Sequence, residues 1–148
     1  MLGGQVKIKK LDDRAVTPSY GSEYAAGFDL YAVLDEDITI KSGETYLVKT
    51  GLAMEVPVGY AGMIFARSGL ATKKGLAPAN KVGVVDSDYR GEVMVALHNH
   101  SNENRTISHG ERIAQMVIMP FYKAEFLEVE ELSDTDRGSG GFGSTGSK

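Results

Sequence analysis

A chain of 148 residues, 42% hydrophobic and 24% charged, has the length of one globular domain and can bury roughly 70% of its unfolded surface. Its formal charge of -4, with no long basic run, argues against a general nucleic-acid or membrane-surface binder, although a few arginines and a metal ion can reverse the field inside one pocket. It holds no cysteine, which excludes disulfides and thiolate chemistry; no run is long enough to cross a bilayer and the N-terminus lacks a signal-peptide core, so the expectation is a cytoplasmic protein.

Short strand-like stretches follow one another between turn residues. QVKIKKL (5–11) opens the series. In AAGFDLYA (25–32), Asp29 lies between Phe28 and Leu30 in an apolar strand, where an ionised carboxylate needs a partner or an ion. In EDITIKSGE (36–44), Ile38 and Ile40 alternate with Thr39 and Lys41 before the turn Ser42-Gly43. TYLVKTGLAMEV (45–56) and GYAGMIFA (59–66) continue the strands. The one candidate helix is SGLATKKGL (68–76), opened by Ser68 as an N-cap and closed by Gly75. Arg67 and Ser68 at its mouth suit either a capped helix with a solvated guanidinium or an anion site, since helix N-termini offer free N–H groups.

In VVDSDYRG (84–91), a buried apolar run of Val82, Val84 and Val85 delivers Asp86, Asp88 and Tyr89 to a turn closed by Gly91. Asp and Gly are turn residues in their own right, but two carboxylates at i and i+2 also suit acid–base work or a cation. GEVMVALHN (91–99) is a further strand, and His98-Asn99-His100 reads as its end entering a turn, because no third ligand stands at a metal spacing. In RIAQMVIMPF (112–121), Gln115 shares a strand face with Ile113 and Val117, so its amide must find partners. FLEVEEL (126–132) alternates again, as a last strand. Short strands of this kind predict an all-β sandwich or barrel. SDTD (133–136) links to RGSGGFGSTGSK (137–148), which has no core-forming residues; it suits a frayed tail, or a lid whose amides and Arg137 hold phosphate while Phe142 covers a ring.

In order, AGFDLYA, RSGLA, GVVDSDYRGE, GERIAQ and RGSGGFGSTG resemble the five motifs of the homotrimeric dUTP pyrophosphatase (dUTPase) family, from about Tyr24 to Gly146. One departure is Ala66, where the family often has Pro before the Arg of the second motif; it removes a rigid φ but no contacting side chain. The resemblance implies a distorted jelly-roll β-barrel over residues 1–132 and a glycine-rich arm over 133–148. It also implies a trimer with three active sites, each built from all three chains. The implied reaction converts dUTP to dUMP and pyrophosphate, keeping uracil out of DNA and supplying dUMP for dTTP synthesis.

The resemblance also assigns roles. Asp86 would activate the water that attacks the α-phosphorus. Mg²⁺, Arg67, Ser68 and the Gly69 amide would stabilise the leaving pyrophosphate, with Asp29 holding the metal through water and Gln115 in the water and phosphate network. The hairpin 75–86, through its backbone, Asn80 and Val84, would read uracil and leave no room for a 5-methyl group. Tyr89 would pack on the sugar and exclude a 2′-hydroxyl. Arg137 would pair with the γ-phosphate, Gly143, Ser144 and Thr145 would cradle it, and Phe142 would stack on the base. Asp88, Arg90 and Arg112 receive no catalytic role. Two alternatives stay open: a deaminase of the dCTP branch, against which the hairpin carries no surplus Glu, and a nucleotide-binding regulator without catalysis. No nucleic acid or membrane partner is implied.

Overall fold

The computed structural model describes residues 4–146; the last two residues of the predicted arm, 147 and 148, lie outside them, as do 1–3. Ten strands and one helix follow in order: β1 (Lys7–Lys10), β2 (Phe28–Tyr31), β3 (Ile38–Ile40), β4 (Thr45–Glu55), β5 (Tyr60–Phe65), α1 (Ser68–Lys74), β6 (Leu76–Pro78), β7 (Gly83–Val85), β8 (Glu92–Asn99), β9 (Arg105–Ile107) and β10 (Arg112–Pro120). They form two four-stranded sheets, β1-β4-β8-β6 and β2-β10-β5-β7, and a two-stranded β3-β9 ribbon, with all pairs antiparallel. The fold is the expected all-β jelly-roll barrel with one short helix.

The sequence pattern explains the layering. In β8, Val93, Val95, Leu97 and Asn99 are buried while Glu92, Met94, Ala96 and His98 are half-buried, a period of two that turns one face to the core. Val95 and Leu97 meet Leu30, Ile64 and Met116 of the second sheet and Ile40 and Ile107 of the ribbon in one apolar cluster. Truncating a side chain as enclosed as Leu97 to Ala costs about 2–5 kcal/mol in such a core. Among the described residues the one buried side-chain amide, that of Asn99, is fully bonded. Its Nδ2 donates to the carbonyls of Ile40 (2.8 Å) and Glu103 (2.7 Å), and its Oδ1 accepts from Ser101 N (3.0 Å) and Oγ (2.7 Å). His98 pairs with Thr45 Oγ1 at 2.9 Å where β8 ends, as the turn reading expects.

Two irregularities interrupt this regular pairing. In β4 the pairing with β8 shifts between Lys49 and Ala53, around Gly51, whose φ of 69° favours glycine. A Cβ there would stand 2.9 Å from Ala15 Cβ and 3.1 Å from Asp12 Cβ. In β10 the register shifts between Arg112 and Ala114, and Ile113 and Ala114 are both enclosed. The bulge therefore sends Ile113 into the core and leaves Gln115 half-buried, correcting the expectation that these two share a face.

Near the N-terminus, Arg14 ties separate segments together. Its guanidinium donates to Asp12 Oδ2 and Asp35 Oδ1, both at 2.9 Å, and to the Leu34 carbonyl at 3.1 Å. The Arg14 side chain, then its backbone N–H, hold the Asp12 carboxyl down to about 2.

Beyond Pro120 the expected strand at 126–132 does not form. Its alternation is present, but no neighbouring strand pairs with it, and Phe126, Leu127 and Leu132 stand almost fully exposed.

Candidate active site

Three strands of the second sheet set up the first cluster. Gln115 of β10 stands opposite Asp29 of β2 on one side and Phe65 of β5 on the other, so the row Asp29–Gln115–Phe65 ends where β5 hands over to α1. Gln115 Nε2 donates to the Ala66 carbonyl at 3.0 Å. Gly27 makes room for that amide, since a Cβ there would approach Gln115 Oε1 to 2.7 Å.

The next residue, Arg67, donates through Nε to Asp29 Oδ1 at 2.9 Å, and Arg112 Nη1 lies 3.6 Å from Asp29 Oδ2. These are the partners a carboxylate in an apolar strand requires, and they give Arg112 a place at the site that its spacing did not suggest.

Arg67 is also the N-cap of α1, in extended conformation with no side-chain capping bond, so Ser68 is the first helical residue rather than the cap. The amides of the first turn are consequently uncapped by any side chain, and Ser68 and Gly69 are exposed. At the other end Gly75 takes the left-handed conformation (φ 67°), as the sequence predicts. Around this turn lies a cavity of about 440 Å³ walled by Arg67, Gly69, Leu70, Lys73, Lys74, Gly110, Glu111 and Arg112. Four cations against one carboxylate on the wall, with Asp29 occupied by two of them, make it an anion-attracting surface.

The second cluster is a cavity of about 250 Å³ that brings together Asn80, Val84, Asp86 and Tyr89 with Leu47, Ile64, Glu92 and Met94. The loop that builds it is not a paired hairpin: β6 joins β8 in one sheet, and β7 joins β5 in the other. Between them Lys81 adopts φ 65° and donates to the Pro78 carbonyl, which turns Asn80 back toward Gly83. Only Val85 of the expected buried run is enclosed; Val84 is 59% exposed and Val82 36%. Val84 thus offers an apolar wall to the cavity. Asp86 follows at the exposed end of β7, and its carbonyl accepts the Tyr89 N–H at 3.2 Å. Arg90 closes the turn by donating to the carbonyls of Ser87 (2.7 Å) and Tyr89 (3.2 Å).

The two cavities share no wall residue, and among the described residues none of the tail lines either. Arg137, Phe142, Gly143, Ser144 and Thr145 lie in a series of local turns, where Arg137 Nε donates to the Gly140 carbonyl at 2.6 Å and Phe142 is fully exposed. Gly91, which the sequence reads only as closing the turn, and Glu92, read only as part of the third motif, both touch Tyr89 beside the second cavity. Their contacts depend on the turn geometry and on the bulge at Gly51.

The family model described as dUTPase matches residues 13–146. The deoxyuridine 5′-triphosphate nucleotidohydrolase of Nautilia profundicola is 56% identical over 142 residues, covering 96% of this chain and 99% of that protein. The enzyme of the same name from Syntrophotalea carbinolica is 47% identical over 141 residues, covering 95% and 96%. Among solved structures, the dUTPase of Staphylococcus bacteriophage 80alpha with dUPNHPP superposes with a TM-score of 0.87 at 28% identity, covering 98% of this chain and 100% of that one.

Proposed function

Because the chain belongs to the dUTPase family and is a dUTP nucleotidohydrolase, we propose that its two cavities are complementary halves of one active site, completed between copies of the chain. The observation that carries this reading is the separation of the halves. Asp86 with the residues expected to read base and sugar lines one cavity, and Arg67 with the uncapped helix turn lines the other. A chain that keeps the water-activating carboxylate apart from the phosphate cations needs a second copy to unite them. The exposed tail then supplies a third element, and a homotrimer accounts for all three.

In this arrangement uracil enters beside Asn80 and Val84, and the sugar lies against Tyr89. The triphosphate runs toward a neighbouring copy's Arg67, Ser68 and the amide of Gly69. Asp86 takes a proton from water as its oxygen attacks the α-phosphorus. The bond from that phosphorus to the bridging oxygen breaks, and pyrophosphate leaves with its growing charge held by Arg67 and the helix-turn amides. Gln115 fixes the peptide that presents Arg67. The segment 133–148 acts as the arm: Arg137 pairs with the γ-phosphate, Gly143, Ser144 and Thr145 cradle it, and Phe142 covers the base.

For Mg²⁺ the fit is of one kind. Among the described residues no three His, Cys, Asp or Glu side chains cluster, and both oxygens of Asp29 face arginines. That donor set suits a hydrated ion carried mainly on substrate phosphates, with Asp29 as a ligand through water. Bound there, Mg²⁺ would neutralise phosphate charge during bond cleavage. Among the described residues no helix is long and apolar enough to cross a membrane, and the site of action proposed is the cytoplasm.

The test offers dUTP, dTTP, dCTP and UTP separately with Mg²⁺ and follows pyrophosphate, with ammonia monitored for dCTP. Pyrophosphate from dUTP alone is expected. Ammonia from dCTP would move the chain to a deaminase, and binding without turnover to a regulator. In Asp86→Asn, turnover should fall on the order of 10²–10⁴-fold while a non-hydrolysable dUTP analogue still binds; near-normal turnover would remove Asp86 from its role.

A further inference from the structure

The turn after Asp86 holds the Tyr89 ring in a seat built by two residues with no assigned part in recognition. The first is Gly91. A Cβ added there would stand 2.5 Å from Tyr89 Oη, 2.7 Å from Cζ and 3.0 Å from Cε2, so the ring lies directly over the glycine. The second is Glu92, whose carbonyl accepts the Tyr89 hydroxyl at 2.8 Å.

Glu92 is itself pinned, because its Oε2 accepts the Gly51 N–H at 3.0 Å. That amide is free to donate only because β4 bulges there. The seat is thus anchored to the body of the barrel, and Tyr89 reaches the cavity wall with its ring plane and its hydroxyl both fixed.

We infer that Gly91, together with the Glu92 carbonyl, sets the discrimination between deoxyribose and ribose by holding the Tyr89 ring against the sugar. The inference rests on the reading of Tyr89 as the sugar-facing residue. Excluding a single hydroxyl requires a wall that does not yield, and a tyrosine that is 41% exposed would swing about χ1 and χ2 without such a seat. Gly91 is therefore a positioning residue, acting through Tyr89.

Substitution at this position separates seat from fold. Gly91 does not use a backbone conformation reserved for glycine, and the atoms a methyl group would strike belong to the far end of the tyrosine. In Gly91→Ala the ring moves and loses its bond to Glu92 while the barrel stays intact. The measurement is kcat/KM for dUTP and for UTP in wild type, Gly91→Ala, Tyr89→Ala and the double variant, with melting curves of each.

Gly91→Ala should lower the dUTP-over-UTP ratio by about tenfold or more, within the range that shape alone supplies, and change kcat for dUTP only a few-fold. In the Tyr89→Ala background it should change the ratio no further, which a merely structural role would not produce. Tyr89→Ala with an unchanged ratio would defeat the reading of Tyr89 itself. A collapsed ratio in Tyr89→Ala beside an unchanged one in Gly91→Ala would overturn the seat alone. If Gly91→Ala does not fold, Tyr89→Phe decides: it keeps the ring and removes the bond to Glu92, and a ratio equal to wild type would reject the seat.

Discussion

The barrel and the C-terminal segment carry the same kinds of apolar side chain and dispose of them in opposite ways. Within the barrel, Leu97, Ile107 and Met116 are shut off from solvent, and among the described residues no buried side-chain nitrogen or oxygen lacks a partner. After Phe121, Phe126, Leu127, Leu132 and Phe142 face solvent, and among the described residues the backbone bonds only within local turns. The barrel answers its own alternation with partner strands. The segment has alternation and aromatic rings with nothing in its own chain to meet them. An element that contributes so little to its own fold is free to act as the arm proposed above, which would order only where bound nucleotide repays the cost.

The most severe way to break this contrast is to remove the segment from Arg137 onward. If it acts on phosphate rather than on the fold, kcat/KM for dUTP should fall on the order of 10³-fold or more, the scale of a phosphate-clamping arginine. The melting temperature and the oligomeric state should not move. A truncated chain that unfolds or melts well below wild type would make the segment part of the fold.

The sequence was most legible where the chain is periodic for long enough. β8 and β10 announce themselves over eight and nine residues. β6, β7 and β9 have three residues each, too few for any period to show. Gly51 and Ile113 were hidden for the opposite reason: each sits in a long strand whose bulge is set by what packs across it. FLEVEEL has the period of a strand, but a strand also needs a neighbour, and composition cannot say where that neighbour is.

The candidate site divides along the same line. Asn80, Val84, Asp86 and Tyr89 are close in sequence and share a cavity. The bond from Gln115 to Ala66 and the one from Gly51 to Glu92 span 49 and 41 positions, and no spacing rule reaches them.

A smaller effect sharpens the contrast from the barrel side. Gln115→Ala frees the Ala66 carbonyl next to Arg67, and Gly27→Ala should do much the same by pushing Gln115 Oε1 away. One hydrogen bond is worth about 1 kcal/mol, so each should lower kcat/KM by roughly fivefold. The double variant should be no worse than either single one. Losses that multiply in the double variant would mean that Gly27 acts on something other than this amide.

The smallest effect belongs to Asp12, which touches the barrel alone. Its carboxyl is held at about 2, below the ordinary 3.8, chiefly by the Arg14 side chain. A folded-state value below the unfolded one gives stability that is present above about pH 4 and is lost as pH falls toward 2. The pair is at the surface, where solvent and salt screen it. Asp12→Asn should therefore lower the melting temperature at pH 7 by no more than about 3 °C, and the gap to wild type should close between pH 4 and pH 2. Activity at pH 7 should stay near wild type, since neither cavity includes Asp12. A gap that persists unchanged at pH 2 would assign the loss to the hydrogen bonds with Arg14 instead of to the charge, since Asn keeps the Cβ that packs near Gly51.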